Sequence, residues 1–346
     1  MRILVVGDSY VPVEVFRQGL QSLEPDHHLE YVQLDQARTF QPSSDSERRI
    51  HEYAGTPDQL VERLDGHDVL VVHGAPVTDE VLAVPSLRLI CCARGGPVNV
   101  DVDAASERGL PVVTTPGKNA DAVADQALAF MVMLARRFPK AQRYLAEGND
   151  AGDSAFGGAE FFGHDLSGMT LGLVGFGNVG QRVARRAVAF GMYVTVYDPY
   201  HEPNPVDGVA QVADLDALLE IANIASLHAR ATPENENLFD ERRFAAMRDG
   251  SYFVNTARES LVDEDSLDDA LASGKLAGAA LDVVRPRPNT GPHPLLRHEN
   301  VVLTPHIGGA THETLLRGAT MVADEIARFA AGEPLANVIN RAAASV

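Results

Sequence analysis

Cysteine and tryptophan are nearly absent from this chain of 346 residues, which has two cysteines and no tryptophan. The cysteines are the neighbours Cys91 and Cys92, and neighbouring residues on a strand point to opposite faces of a sheet. The pair can form neither a disulfide framework nor a cysteine metal site, so we expect both residues in the core. The twelve histidines show no H-E-x-x-H or paired metal-ligand spacing, so we predict no metal.

Positive charge is also scarce, because 29 Lys and Arg residues face 48 Asp and Glu residues and the net charge is −19. Such a surface repels polyanions, which argues against nucleic acid and acidic membranes as partners. The only lysines are Lys118, Lys140 and Lys275. A salt-adapted host would explain the acidic excess, and a GC-rich genome would explain the preference for arginine equally well.

Long apolar runs are missing too. The longest, residues 127–135, is too short to span a bilayer. The start of the chain, residues 1–6, reads as a strand without a cationic leader. We therefore expect a cytoplasmic protein. The sequence also lacks a G-x-S-x-G elbow, which argues against a serine hydrolase.

Three glycines, Gly175, Gly177 and Gly180, lie between an apolar run at residues 169–174 and a helical pattern. Strand, glycine turn and helix in this order are typical of a dinucleotide-binding site. The first glycine permits the tight turn, the second lets the backbone approach a pyrophosphate, and the third lets the helix pack on the strand.

The residues that follow these glycines fit the same site. The helix opens with Asn178 and Val179 rather than with an acid, so its N–H groups remain available for phosphate. Asp198 follows the next apolar run, roughly 20 residues past the glycines, where it can accept hydrogen bonds from an adenosine ribose. Its charge would repel a 2′-phosphate, so we predict NAD rather than NADP as the cofactor.

Short apolar runs alternate with helical patterns along the chain, which predicts parallel sheets and an α/β fold. The runs are residues 3–6, 29–34, 69–72, 87–92, 112–113, 169–174, 193–197, 224–227, 252–255, 278–283 and 301–303. We predict two Rossmann-like or flavodoxin-like domains. A nucleotide domain, residues 119–309, is inserted in a substrate domain made of residues 1–118 and 310–346, with a cleft between them and hinges near Gly117 and residues 308–310.

Two polar segments interrupt this pattern. Residues 36–55 read as an exposed excursion, and the Gly-rich residues 148–163 connect a long helix at residues 119–137 to the glycine turn. A second long helix, at residues 313–331, would carry the chain back to the first domain.

Three polar residues each follow a predicted strand of the second sheet: Arg258, Asp282 and His306. Ligands of open parallel sheets bind beyond the carboxyl ends of the strands, so we expect these side chains near the nicotinamide end of a dinucleotide. A guanidinium can hold a carboxylate and polarise a neighbouring carbonyl, while a histidine can exchange a hydroxyl proton. Hydride transfer on a 2-hydroxy acid requires these groups.

The chain resembles the D-isomer-specific 2-hydroxyacid dehydrogenase family over almost its full length. The matching runs are GKNADAVA at residues 117–124, GFGNVG at 175–180, SLH at 226–228, VNTAR at 254–258, ALDV at 280–283 and TPHIGG at 304–309. The resemblance implies an NAD-dependent enzyme that interconverts a D-2-hydroxy acid and its 2-oxo acid. It also implies a homodimer built on the nucleotide domain, and we expect no C-terminal regulatory domain.

The resemblance also implies roles for particular residues. Arg258 would bind and orient the substrate carboxylate and carbonyl, His306 would be the acid/base, and Asp282 would contact the nicotinamide side of the cofactor. The implied cofactor-binding residues are Gly175, Gly177, Asn178, Val179, Gly180, Asp198, His228, Thr232, Thr256, Asp282, His306 and Gly308.

The substrate loop of such proteins is matched by residues 94–101, where the N–H groups of Gly95 and Gly96 would hold the carboxylate. Arg94 stands where the family more often has glycine, and its cation could reach the far end of a substrate with a second carboxylate, a phosphate or several hydroxyls. We therefore hypothesise a sugar-acid-like or dicarboxylic substrate. The alternative is that Arg94 pairs with a nearby surface acid.

A second departure lies five residues beyond Asp282, where family members usually have a glutamate that hydrogen-bonds the catalytic histidine. This chain has Arg287 there. A cation near His306 would favour neutral imidazole, so we expect oxidation of the alcohol to be less impaired than reduction. Alternatively Arg287 points away and another acid serves, with Glu299 and Glu313 as candidates.

Two other functions remain open. The family also resembles corepressors that bind NAD(H) and respond through assembly, and the missing glutamate suits a nucleotide-sensing protein with weak or no catalysis. A formate dehydrogenase needs no acid/base step, but the sequence lacks a substituted amide partner beside the histidine. The presence of Arg258 and His306 favours the enzyme acting on hydroxy acids.

Overall fold

The computed structural model describes residues 1–34, 45, 47–149, 158–200, 206–287 and 291–340. Parts of the predicted polar segments 36–55 and 148–163 lie outside these residues. The chain divides into two compact units. The first unit comprises Met1–Lys118 and Thr311–Val346, and the second comprises Asn119–Ala310.

The first unit contains a five-stranded sheet in the order β2-β1-β3-β4-β5, in which every pair of neighbours is parallel. Its strands are β1 (Arg2–Gly7), β2 (His28–Gln33), β3 (Val69–Val72), β4 (Leu89–Cys92) and β5 (Val112–Val113), and its helices are α1 (Val13–Gly19), α2 (Pro57–Leu64), α3 (Asp79–Leu82), α4 (Val102–Glu107) and α11 (His312–Ala331).

The sheet of the first unit is covered on both faces, as parallel sheets usually are. Leu4 and Val6 belong to one buried cluster, whereas Ile3 and Val5 belong to another. Cys91 and Cys92 are divided between the same two clusters and are fully buried, which confirms the prediction for these cysteines. Burial raises the pKa of both thiols, to about 12 for Cys92, so they behave as apolar core residues.

Helix α11 belongs to the first unit and packs against α1. It begins after Thr311, whose hydroxyl accepts a hydrogen bond from the Thr314 N–H at 3.1 Å, and it ends at Gly332 in the left-handed conformation. The two helices approach closely, because a Cβ at Gly19 would lie 2.3 Å from the Cβ of Ala319.

The second unit contains a seven-stranded sheet in the order β12-β11-β10-β9-β6-β7-β8, again parallel throughout. Its strands are β6 (Thr170–Val174), β7 (Tyr193–Tyr197), β8 (Val209–Gln211), β9 (Ile224–Leu227), β10 (Ser251–Asn255), β11 (Leu276–Leu281) and β12 (Val301–Leu303), and its helices are α5 (Ala120–Ala135), α6 (Phe138–Ala146), α7 (Asn178–Ala189), α8 (Leu215–Ile221), α9 (Glu241–Ala246) and α10 (Glu264–Ala272). The predicted α/β fold with two parallel sheets is confirmed.

The strand order of the second unit reverses beside β6. The chain passes from β6 outward to β7 and β8, and then returns to form β9 on the other side of β6. Ligands of open α/β sheets bind in the crevice at such a switch point, beyond the carboxyl ends of the strands. The predicted glycine turn follows β6 directly.

Candidate active site

The glycine turn after β6 has no room for side chains at two of its three glycines. Gly175 has a φ of +96°, and a Cβ there would lie 2.6 Å from the backbone nitrogen of Ala229. A Cβ at Gly180 would lie 2.3 Å from the carbonyl oxygen of Gly175, so α7 packs directly on the turn. A Cβ at Gly177 would meet no atom within 4 Å, which leaves this side of the backbone open for a ligand.

Helix α7 presents a free N-terminus beside this open position. Gly177 is the N-cap and supplies no side-chain cap, and the first turn contains no acid. The first N–H groups of a helix have no intrahelical acceptor, so Asn178 and Val179 offer donors to an anion. The turn therefore fits a pyrophosphate.

Asp198 follows β7 and contacts the turn. Its Oδ2 accepts a hydrogen bond from the Phe176 N–H at 2.7 Å, and its Oδ1 accepts one from the Tyr200 N–H at 2.9 Å. The carboxylate therefore fixes the glycine turn through one oxygen. The remaining lone pairs can accept from a ribose, as the sequence predicts.

His228 follows β9 on the other side of the switch point. Its Nε2 lies 2.8 Å from the Ser226 hydroxyl, and its Nδ1 lies 3.5 Å from the Thr256 hydroxyl. Desolvation by the surrounding protein lowers the pKa of His228 to about 4, so the ring is neutral near pH 7. Thr232 lies at the start of the next turn, where its N–H donates to Asn235 Oδ1 at 2.8 Å.

Arg258 is placed by a buried asparagine at the end of β10. Asn255 Nδ2 donates to the Arg258 carbonyl at 2.9 Å, and its Oδ1 accepts from the Ala257 N–H at 2.9 Å. The residue is exposed, and its guanidinium donates to the Ala257 carbonyl at 2.6 Å. Within the ranges that the structure describes, Arg258 forms no ion pair, so its charge is available to a ligand.

Asp282 follows β11 and is buried with its carboxylate fully engaged. Its Oδ1 accepts hydrogen bonds from Gln126 Nε2 at 3.0 Å, from the Thr304 hydroxyl at 2.5 Å and from the Ile307 N–H at 2.9 Å. Its Oδ2 accepts from the Gly308 N–H at 2.7 Å. Through these bonds Asp282 holds the loop after β12. Its contact with nicotinamide stays a prediction.

His306 lies in that loop in a strained conformation. Its φ is +56°, its N–H donates to the Asp282 carbonyl at 2.8 Å, and its side chain is exposed. Non-glycine residues adopt this left-handed region at a cost, and such residues cluster at functional sites. The sequence predicted the residue but gave no sign of this backbone conformation.

Arg287 contacts a buried acid. Its Nη2 lies 3.0 Å from Glu264 Oε2, and Glu264 is the first residue of α10 and only 3% exposed. Arg287 is therefore not an unpaired cation, and the expectation that it shifts His306 toward neutral imidazole loses its premise. Glu299, one proposed substitute acid, pairs with Lys140 at 3.1 Å. In the part of the chain that the structure describes, His306 forms no ion pair.

This pairing makes a prediction for Arg287→Glu. The substitution places a second carboxylate beside buried Glu264, so we expect the free energy of unfolding to fall by about 2 kcal/mol. This value is below that for a fully buried pair, because Arg287 is half-exposed and solvent screens its charge. Arg242→Glu is the control, because its partner Asp216 keeps Arg243. Urea unfolding measures both variants. Unchanged stability together with an altered pH profile of turnover would instead place Arg287 at His306.

The predicted substrate loop of the first unit follows β4. The N–H groups of Gly95 and Gly96 donate to no acceptor among the described residues, and both glycines are exposed. Arg94 donates to the Glu52 carbonyl at 3.0 Å and also pairs with the Glu52 carboxylate. Arg94 therefore pairs with a surface acid, and its predicted contact with a substrate tail stays a prediction.

Sequence reasoning missed three residues at the same end of the first sheet. Asp8 follows β1, and its Oδ2 lies 2.9 Å from Nδ1 of His73, which follows β3. The His73 ring stacks on Tyr10, with centroids 5.2 Å apart. Burial lowers the pKa of His73, while its bond to Asp8 opposes that shift. The strand-end rule that found Arg258 and His306 would have found Asp8 and His73 too.

Two absences concern other chemistries. No helix among residues 1–340, in the portions described, has the length and apolarity that a membrane crossing requires. The same portions contain no group of three or more His, Cys, Asp or Glu side chains arranged to hold a metal ion.

Comparison with known proteins identifies the second unit. Residues 128–308 match the family model for the D-isomer specific 2-hydroxyacid dehydrogenase NAD binding domain. The chain is 36% identical over 335 residues to a glyoxylate reductase of Korarchaeum cryptofilum, and the match covers 96% of this chain and 95% of that protein. A crystal structure of a D-lactate dehydrogenase from Aquifex aeolicus, complexed with NAD and lactic acid, superposes with a TM-score of 0.72, 25% identity and 98% coverage of this chain and 99% of that chain.

A longer relative matches only in part. The chain is 36% identical over 286 residues to the D-3-phosphoglycerate dehydrogenase of Archaeoglobus fulgidus, a match that covers 82% of this chain and 53% of that protein. The chain thus spans about half the length of the phosphoglycerate dehydrogenases it matches.

Proposed function

The chain belongs to the D-isomer specific 2-hydroxyacid dehydrogenase family, and from this premise we propose that it is an NAD-dependent oxidoreductase that interconverts a D-2-hydroxy acid and its 2-oxo acid. One observation carries the proposal. The buried Asp282 carboxylate, after β11, holds the loop that presents exposed, strained His306, and β10, which pairs with β11, presents Arg258 without an ion-pair partner in the described ranges.

The second unit is an NAD-binding domain, and its residues fit that cofactor. The turn at Gly175 and Gly180 excludes side chains, Gly177 is open, and α7 begins without an acid. We assign the pyrophosphate to Gly177, Asn178 and Val179, and the adenosine ribose to Asp198. NAD supplies the hydride acceptor when it is bound.

The chain's own residues perform the remaining steps. The guanidinium of Arg258 binds the carboxylate of the hydroxy acid. During oxidation the hydroxyl proton passes to the His306 imidazole as C2 loses its hydride, and Arg258 stabilises the oxygen that becomes the carbonyl. Reduction reverses these transfers, with His306 returning the proton.

The substrate tail is assigned to Arg94. Pairing with Glu52 neutralises much of its charge, which favours a hydroxylated, sugar-acid-like tail over a second carboxylate. Among the relatives are enzymes named glyoxylate reductase and hydroxypyruvate reductase. A small hydroxylated acid agrees both with the pairing of Arg94 and with the names of these relatives.

Nicotinamide absorbance tests the function. Purified protein is assayed with NAD and 2-hydroxy acids of increasing tail length: glycolate, D-lactate, D-glycerate, D-phosphoglycerate, D-malate and longer sugar acids. We expect turnover, highest with hydroxylated tails. Lactate exceeding every extended acid would contradict the assignment of Arg94, and faster turnover of formate would favour a formate dehydrogenase.

A second candidate is a nucleotide-sensing protein with weak or no catalysis. The observation that favours it is the absence of a carboxylate partner for His306 among residues with described side chains. Tight NADH binding by folded protein that is silent with every acid would support it. The homodimer and the cytoplasmic location stay predictions from the sequence.

Cofactor preference tests Asp198 without any substrate. Asp198→Asn keeps an oxygen that accepts the Phe176 N–H but removes the charge that would repel a 2′-phosphate. We expect the ratio of the NADPH to the NADH dissociation constant, measured by fluorescence titration, to fall by about tenfold, which corresponds to roughly 1.4 kcal/mol. Asp214→Asn is the control, because that carboxylate caps α8 instead. An unchanged ratio would remove Asp198 from the ribose site.

A further inference from the structure

Lys118 is a buried cation without an acidic partner in the described residues. It is 8% exposed, and its Nζ donates to the Ala93 carbonyl at 2.6 Å. Gly318 on α11 makes room for it, since a Cβ there would lie 2.9 Å from the lysine Cδ and 3.4 Å from Nζ. A buried ammonium that contacts one carbonyl is costly, and proteins normally pair such a charge.

The charged groups around Lys118 do not supply that pair. Arg94 is a further cation, and Arg317 of α11 donates to the Lys118 carbonyl. Asp8 is the nearby acid, but its oxygens accept from Tyr10, Val11, Gly74 and His73. The Cys92 thiol is buried and protonated near neutral pH. Arg94 pairs with Glu52 and His73 is bound to Asp8, so no acid among the described residues forms an ion pair with Lys118.

The Lys118 ammonium contacts the carbonyl of Ala93, the residue just before the substrate loop. Ala93 immediately precedes Arg94, and the Arg94 carbonyl accepts from the Thr115 N–H at 2.9 Å, which ties the loop to the segment leading to Lys118. Beyond Arg94 come the exposed N–H groups of Gly95 and Gly96, which donate to no described acceptor. The carbonyl that binds the ammonium and the free N–H donors belong to one short segment, residues 93–96, and free backbone donors near a cation suit an anion.

We propose that Lys118 is the counter-ion of an anion site that it forms with the N–H groups of Gly95 and Gly96, and that this site takes the carboxylate of the substrate. The inference rests on the proposed function and adds to it a charge-supplying lysine in the first unit. The carboxylate balances the buried ammonium, which is held in place by Ala93 and by the space that Gly318 leaves.

The site has a defined pH dependence. Burial lowers the pKa of Lys118 to about 8, so the lysine is cationic below that pH and neutral above it. A bound anion favours the cation and raises this pKa. We therefore expect anion affinity to fall as the pH rises through about 8, and binding near that pH to take up a proton.

The experiment measures oxalate binding by calorimetry, with and without NADH, in wild type and in Lys118→Met. We expect the methionine variant to bind oxalate about 10- to 100-fold more weakly, the range for a lost hydrogen bond to a charged group. Its affinity should no longer change between pH 7 and 9, and its proton uptake should vanish. Lys275→Met, which removes a lysine paired with Asp249 in the second unit, should behave as wild type.

Further readouts separate a binding role from a structural one. Lys118→Met relieves a buried charge, so we expect its melting temperature to equal or exceed that of wild type and its NADH affinity to be unchanged. Lys118→Arg, which keeps the charge, should recover part of the affinity if it fits beside Gly318. The proposal would be overturned if Lys118→Met loses stability but keeps the wild-type affinity for oxalate and the pH dependence of that affinity.

Three other outcomes separate the anion site from the proposed function. Inorganic phosphate that binds as tightly as oxalate, with the same dependence on Lys118, would overturn the assignment to a carboxylate. Lys118-dependent oxalate binding in a protein that turns over no hydroxy acid would refute the proposed function while supporting the site. Normal turnover with an unchanged KM in Lys118→Met would refute the site alone.

Discussion

Replacing His306 with asparagine lowers kcat for oxidation of the preferred hydroxy acid by about 10²- to 10⁴-fold, the range for loss of a general acid/base. Asparagine is chosen because it tolerates the left-handed backbone that His306 adopts at a φ of +56°. The loop should therefore keep its hydrogen bonds to Asp282. The fall in kcat then results from the missing imidazole and not from a changed backbone.

Steady-state kinetics in both directions measure this effect. The KM for the acid and the affinity for NADH should change little, because Arg258 and the glycine turn remain. His312→Asn is the control, since His312 is an exposed residue in the first turn of α11. A loss of less than threefold in His306→Asn would remove His306 from the proton transfer.

Replacing Asp282 with asparagine lowers the free energy of unfolding by about 3 kcal/mol and lowers kcat as well. The carboxylate accepts from Gln126, Thr304, Ile307 and Gly308, and an amide in its place must point N–H groups at some of these donors. Leaving buried donors unsatisfied costs about 1–3 kcal/mol for each group. The His306 loop loses its support at the same time.

Urea unfolding and steady-state kinetics test this prediction together. Asp249→Asn is the control, because Asp249 is 89% exposed and exposed ion pairs such as its pair with Lys275 contribute little to stability. Lost stability with unchanged kcat would show that Asp282 supports the fold but not the position of His306. Lost activity in a fully stable variant would favour its predicted contact with nicotinamide.

The sequence predicted every described strand except β8. The predicted runs Ile224–Leu227 and Tyr193–Tyr197 coincide with β9 and β7. The edge strand Val209–Gln211 was missed, because its residues are half-buried or exposed and show no apolar run. The prediction depends on apolar runs, so a three-residue strand without one escapes it.

Arg258 and His306 follow β10 and β12, as the strand-end rule predicts, but the rule could not show what holds them. The acid that pairs with Arg287 is Glu264, which reads from the sequence as an ordinary acid in the first turn of a helix. Lys118 likewise reads as a surface lysine. Its burial depends on Gly318, a residue distant in the chain, and such pairings require the folded structure.

Transfer of deuterium from C2 of the preferred substrate tests the central claim most directly. The D-2-hydroxy acid labelled at C2 is incubated with NAD, and the reduced cofactor is analysed by mass spectrometry. Stoichiometric deuterium in NADH from the D-enantiomer, with none from the L-enantiomer, is the predicted result. NADH that carries no deuterium, label that comes equally from the L-enantiomer, or no NADH from any acid would contradict the account.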